Sequence, residues 1–322
     1  MTIKVREYED ADKDDWEDFL KGSNNGTIFH SLKFLSYHPK DKYNEHHLIF
    51  EKKGRIISIL PAAIIEKKRL RKLCSPYGAS YGSFVVPTSI NLKDSISIVK
   101  QLLDYSEQLD IESIHLTPPP SIYYKEYNNY LDFALIKNGF RYTKRELTSV
   151  IVMNYGDPIN SFNRDAKRSV MKSKNLGISV SATEDYSSFY EILLENKKKF
   201  EVLPTHSLED LLRLKKTIPQ NLKLFLAYLE EKPIAGVLIF ICNSKTILAF
   251  YISQFLEYKK YRANNLLLYE IIKWGIYNNF EYFDLGTSTM IMVPQWSLIQ
   301  FKESVNSKGH FRDTLSYEFI RA

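Results

Sequence analysis

Hydrophobic and polar positions divide the chain into two halves that run through the same order of elements. In the first half, His46 to Phe50 reads as a strand, Lys52-Lys53-Gly54-Arg55 as a turn, and Ile56 to Ile65 as the returning strand. In the second, Leu222 to Leu229, Glu230-Glu231-Lys232 and Pro233 to Ile241 predict the same hairpin. Each hairpin leads to a long helix, Leu92 to Leu109 and Asn264 to Asn279, and each helix to a short strand, Glu112 to Leu116 and Glu281 to Leu285. Breakers follow both times, Pro118-Pro119-Pro120 and Gly286-Thr287-Ser288, and a further helical segment then closes at Gly139 in one copy and Gly309 in the other. An internal repeat of this kind predicts two duplicated units with a ligand held between them.

The remaining pattern fits into these halves. Ile3 to Tyr8 alternates like a strand, and Asp12 to Gly22 carries Trp16, Phe19 and Leu20 at helical spacing before a glycine stop. Ser31 to Tyr37 is a short helix, and Cys74 to Gly82 a loop of small residues and tyrosines. Glu146 to Met153 reads as a strand, followed by a turn-rich linker from Asn154 to Pro158, which sets the boundary between an N-terminal domain, 1–156, and a C-terminal domain, 157–322. Helix Asn160 to Asn175 puts Phe162, Ala166 and Val170 on one face and Arg164, Arg168 and Lys172 on another, with Lys167 and Lys174 widening the basic side. Strand Ile178 to Ala182, helices Tyr186 to Phe200 and Leu208 to Lys216, and strand Thr246 to Gln254 complete the second half. The fold class is mixed α/β, each unit a mixed, mostly antiparallel sheet flanked by helices.

Composition narrows the class without naming a chemistry. With 322 residues, 44% hydrophobic and 25% charged, the chain is long enough for two globular cores and too apolar to be disordered. The net charge of +6 favours phosphorylated ligands or nucleic acid without requiring either. Cys74 and Cys242 are far apart in sequence, so neither a disulfide framework nor a zinc site is expected. Met1 to Asp18 is rich in charge and lacks the apolar core of a secretory signal, and the longest apolar run, Ile56 to Ile65, falls short of the roughly 20 residues of a membrane span. The expected location is cytoplasmic. Adjacent His46 and His47 point to opposite faces of a strand and cannot share a metal, and no GxSxG, HExxH or Walker sequence occurs.

Phe162 to Gly177, Pro233-Ile234-Ala235-Gly236, Tyr282-Phe283-Asp284-Leu285-Gly286 and Phe301-Lys302, in this order and spacing, resemble the tandem form of the GNAT acyltransferase superfamily, which includes Fem-type peptidoglycan aminoacyl transferases. The resemblance covers nearly the whole chain. It implies two tandem GNAT-like domains and an N-acyltransferase, with most of the chemistry in the second domain. The acyl or aminoacyl group would pass to an amine of an amino-sugar nucleotide, a peptidoglycan-type precursor or a lipid-linked precursor. The implied donor is acyl-CoA as co-substrate, favoured over aminoacyl-tRNA because no long heptad arm of the Fem type is found; no metal is implied. Where the family binds pyrophosphate on a glycine-bearing loop, this chain has Tyr261-Arg262-Ala263-Asn264-Asn265, leaving Arg262, Asn264 and a helix N-terminus to hold phosphate. That loss favours the alternative, a non-catalytic binder of nucleotide sugar or RNA on the same fold.

Acyl transfer to an amine needs proton transfer and a stabilised oxyanion. His206, just before a predicted helix, is a candidate base or acceptor-orienting group, or else part of a capping segment. Lys302 matches the lysine of the family's Phe-Lys motif, which would place positive charge near phosphate or oxyanion; the alternative is a surface lysine. Tyr251 lies mid-strand, where alternation would aim its hydroxyl into the cleft or bury it, and Asp284 ends a strand, where it would fix an amine or cap a turn. For substrate binding the candidates are Tyr77, Ser80 and Tyr81 of the small-residue loop and Arg164, Lys167 and Arg168 of the basic helix, which would grip a diphosphate or RNA backbone or else form a solvated face.

Overall fold

A computed structural model describes residues 2–67, 70–198 and 201–320. The first half holds β1 (Lys4–Glu7), α1 (Lys13–Gly22), α2 (Leu32–Leu35), β2 (Leu48–Lys52), β3 (Arg55–Leu60), β4 (Ala63–Lys67), β5 (Leu70–Ser75), α3 (Leu92–Gln108), β6 (Ser113–Leu116) and α4 (Tyr130–Lys137). A long strand, β7 (Arg141–Val152), leads to α5 (Arg164–Asn175), β8 (Ile178–Thr183), α6 (Tyr186–Lys198) and α7 (Leu208–Thr217). Lys199 and Phe200, the expected end of the α6 helix, lie outside the described residues. Then come β9 (Leu222–Leu229), β10 (Lys232–Ile241), β11 (Thr246–Gln254), α8 (Ala263–Tyr277), β12 (Tyr282–Thr287), β13 (Thr289–Met290), β14 (Val293–Pro294), α9 (Trp296–Ser304) and β15 (Lys308–Glu318).

The chain divides into two compact units, Met1–Glu146 with Phe311–Ala322, and Leu147–His310. In unit 1, β1, β2 and β3 form an antiparallel sheet. The predicted single strand Ile56 to Ile65 is broken at Pro61, which has no N–H to give to a ladder. Beyond the break β4 pairs antiparallel with β5, and β5 pairs parallel with β6. The sequence pattern does not mark β5, because Arg71 and Lys72 interrupt its alternation. Helix α3 provides the crossover between β5 and β6; Asn91 caps it by accepting from the Asp94 N–H, and Ile98, Val99 and Leu102 are fully buried on its inner stripe.

Unit 2 repeats this plan. Strands β8, β9, β10 and β11 are antiparallel neighbours, β11 pairs parallel with β12, and α8 is the crossover. The two closing strands are exchanged. The last residues of β7, which follows α4 in the first half, pair with β12 of unit 2, whereas β15, which follows α9, pairs through Leu315 to Glu318 with β6 of unit 1. Gly309, expected as a helix stop, lies inside β15. The core of unit 2 gathers Phe162, Val170, Ile234, Val237, Leu267, Ile271 and Phe283. Helix α8 is buried almost all round, which suits a crossover covered on several sides.

Gly236, in the Pro-Ile-Ala-Gly stretch, sits in β10 between Leu226 of β9 and Ser253 of β11. A Cβ there would stand 2.6 Å from Cδ2 of both Leu226 and Phe189, so the space belongs to α6 packing directly on the strand. Gly236→Ala is expected to destabilise the protein by about 1–3 kcal/mol through overpacking, read as a lowered urea midpoint with unchanged slope.

Candidate active site

The parallel pair β11 and β12 is in register at Thr246 with Tyr282, Ile247 with Phe283 and Leu248 with Asp284, and pairs no further. Two irregularities part the strands. Against β10, Leu238 opposes Tyr251 while Ile239 opposes Ala249, so Phe250 is an extra residue and β11 bends there. Against β7, Asp284 opposes Val150 but Thr287 opposes Thr148, and within this second irregularity Gly286 has φ of +76°, a conformation natural to glycine. The gap between the splayed strands is a cleft of about 640 Å³, walled by Ala249 to Ser253 and Leu285 to Thr287, with Asn196 and Lys197 of α6 and Gln295, Ser297, Phe301 and Lys302 at α9. Because β12 no longer pairs with β11, the backbone groups of β11 that face it border the opening. Crossover helix α8 begins just beyond the end of β11, so cleft and helix N-terminus lie at the carboxyl ends of the parallel strands, where open α/β sheets hold ligands. Unit 1 has a cleft of about 710 Å³ lined by Glu7, Asp10, Glu17, Glu45 and His47 among others. It is the larger, but no splayed parallel pair forms its walls.

Tyr251 lines the unit 2 cleft, and its hydroxyl is 3.1 Å from Nδ1 of His206. His206 is held by the start of α7: Ser207 accepts from the Asp210 N–H, and Asp210 accepts from the Ser207 N–H in return. The imidazole edge packs on Phe250, the bulged residue, with ring centroids 5.2 Å apart. Burial pushes the Tyr251 phenol above its usual range, so it is a proton donor at neutral pH.

Lys302 is buried in the cleft wall and donates to Gly286 O at 2.7 Å, Thr287 O at 3.0 Å and Ser288 Oγ at 3.0 Å. All three ammonium hydrogens are engaged. Burial lowers its pKa to about 8 against the pull of Asp284. Asp284 is fully buried within the sheet, where Thr148 Oγ1 and the Gly286 N–H, at 2.8 Å, donate to its Oδ1. It holds the irregular turn of β12 in place and is not part of the cleft lining.

The other candidates lie elsewhere. Tyr77 and Tyr81 are buried inside unit 1, Tyr77 donating to Glu45 at 3.2 Å and Tyr81 packed on Phe29 and Tyr123, while the Ser80 carbonyl accepts from Arg312 at 2.9 Å. Arg164 and Arg168 are exposed on α5, and Lys167 donates to Asn160 O at 3.2 Å. Arg262 is the N-cap of α8 with φ of 60° and no side-chain cap, and among the described residues the buried Asn264 Oδ1 has no hydrogen-bond partner. The uncapped N–H groups of that first turn suit an anion. Asn196, Lys197, Gln295 and Ser297 carried no signal in the sequence, since their place in the wall follows from which helices flank the gap. Among the described residues no group of three or more His, Cys, Asp or Glu is placed to hold a metal ion, and no helix is long and apolar enough to cross a membrane.

Residues 161–303 match the family described as acetyltransferase (GNAT) domain. No curated protein matches the sequence. Among solved structures, the chain is similar to FemX, with a TM-score of 0.74 at 12% identity over 98% of this chain and 97% of that one. It is also similar to a tandem GNAT protein from the clavulanic acid biosynthesis pathway, TM-score 0.60 at 9% identity over 99% of both chains. A third likeness is to L-PGS from Bacillus licheniformis, TM-score 0.61 at 12% identity over 96% of this chain and 92% of that one. A GNAT domain match across the cleft-bearing segment and two units built on one plan give the chain the fold of the tandem GNAT-superfamily acyltransferases, similar to the Fem type.

Proposed function

We propose that the cleft of unit 2 transfers an acyl or aminoacyl group from an activated donor to an amine of an amino-sugar nucleotide or peptidoglycan-type precursor. The observation that carries this reading is the Tyr251–His206 pair, set where the two parallel strands part. The acceptor amine attacks the donor carbonyl directly. Backbone N–H groups bordering the gap steady the oxyanion; Tyr251 takes the proton lost by the amine while passing its own to His206 Nδ1, and the reverse shift lets Tyr251 give a proton to the departing group. No side chain is acylated on the way.

Acyl-CoA is the favoured donor, with Arg262 and the start of α8 on its phosphates; aminoacyl-tRNA, implied by the resemblance to Fem-type transferases, is the second. Incubation with labelled acetyl-CoA and with charged tRNA decides between them, and binding to either without product would favour a non-catalytic binder. With the CoA donor, Arg262→Asn, which keeps the left-handed backbone unstrained, is expected to raise KM about tenfold and leave kcat within about twofold in steady-state assays. An unchanged KM would free the α8 N-terminus from this role.

A further inference from the structure

The run from Gly286 to Phe301, whose two ends line the cleft, has no acidic, basic or histidine side chain, in a protein that is 25% charged. It folds into the hairpin β13–β14, where Met290 pairs with Val293 across a two-residue turn of Ile291 and Met292. Both turn residues have positive φ, 51° and 60°. That turn is normally made by Asn-Gly, because a β-branched residue in the left-handed region is strained. Those two side chains and three neighbours are held out in water: Met290, Ile291, Met292, Val293 and, at the start of α9, Trp296 are each between 58% and 77% exposed. The tip thus carries backbone strain and exposed apolar surface together.

We infer that this hairpin is a membrane-docking tip that inserts into the headgroup boundary of an anionic lipid bilayer. A short apolar wedge followed by an exposed tryptophan has the composition that sits at that depth. Charge complementarity selects the lipid: Lys197 and Lys198 form the last turn of α6, and Lys197 lines the same cleft as Gln295, which directly precedes Trp296. Five side chains on a narrow tip fall short of the ~800 Å² per partner that a stable protein pair buries. Docked in this way, the rim of the cleft faces lipid headgroups. The inference stands on the hairpin itself and needs no assumption about catalysis.

The test is flotation of the full chain, without donor or acceptor, with vesicles of phosphatidylcholine alone and with about one third phosphatidylglycerol. The wild type is expected to float with the phosphatidylglycerol vesicles, less so as salt rises, with a blue shift of tryptophan emission from Trp296. Ile291→Asn with Met292→Gly restores the residues that the turn prefers. It should keep or raise the unfolding temperature while weakening vesicle binding at least about tenfold. The inference is overturned if the wild type stays with the aqueous phase at both compositions, or if its binding ignores phosphatidylglycerol. It is equally overturned if the double variant binds as well as the wild type, or if that variant instead breaks up a dimer seen in sedimentation. Failure to float would leave any measured acyl transfer intact, and failure of acyl transfer would leave flotation intact.

Discussion

Tyr251→Phe is expected to lower the single-turnover rate of acyl transfer by about 10²–10⁴-fold with little change in donor binding, because the ring keeps its place and only the proton donor is lost. His206 does not itself line the cleft and reaches it through the Tyr251 hydroxyl, 3.1 Å from Nδ1. His206→Ala should therefore lower the rate less than Tyr251→Phe does, and the double variant should be no slower than Tyr251→Phe alone. Two losses that multiply would mean that the pair does not act as a relay. The readout is formation of labelled amide from whichever donor the protein accepts.

The largest effect on stability is expected at Lys302. Lys302→Met removes three donors at once from Gly286 O, Thr287 O and Ser288 Oγ, and takes the nearby positive charge away from fully buried Asp284. Unfolding in urea should show a loss of about 2–5 kcal/mol at neutral pH. The same residue gives a pH signature. Its pKa is lowered from 10.5 unfolded to about 8 folded, so between these values the unfolded chain binds the extra proton and stability rises with pH. Below about pH 8 the burial penalty on the ammonium is present in full, and it is relieved as pH climbs towards 10.5. The gap in stability between wild type and Lys302→Met should accordingly widen over that window. A gap that is flat there would mean that the ammonium keeps its ordinary affinity for the proton.

Elements with strong local signals were legible. Thr246–Gln254 was read to the residue, because an apolar run rich in β-branched and aromatic side chains, bounded by Asn243-Ser244-Lys245 and by the turn after Gln254, admits no other reading. The capping segment before α7 was also visible, and with it the fixed position of His206. The cleft was not legible, since it depends on pairing between distant strands. The extra residue at Phe250 exists only relative to β10, and the one in β12 only relative to β7. Asp284 shows the limit well: its position before Gly286 admits either an amine-binding or a turn-capping role, and the structure shows the second, with the Gly286 N–H donating to it, while its other partner, Thr148, comes from a strand that the repeat assigns to the other half. The strand β5 is hidden because the adjacent charges of Arg71 and Lys72 break its alternation.

The exchange of closing strands has a consequence for how the polypeptide matures. Unit 1 is interrupted in sequence by the whole of unit 2, and the strand that pairs with Ser113 to Leu116 is β15. On the ribosome, the edge of β6 must wait for the intervening segment, on the order of ten to forty seconds at ~5–20 residues per second. Unit 2 receives its own closing strand, β7, before the rest of it has been synthesised. The later-encoded unit is thus the first able to finish folding, and the nascent chain carries an unprotected edge in the earlier one, the place where a chaperone would be of most use.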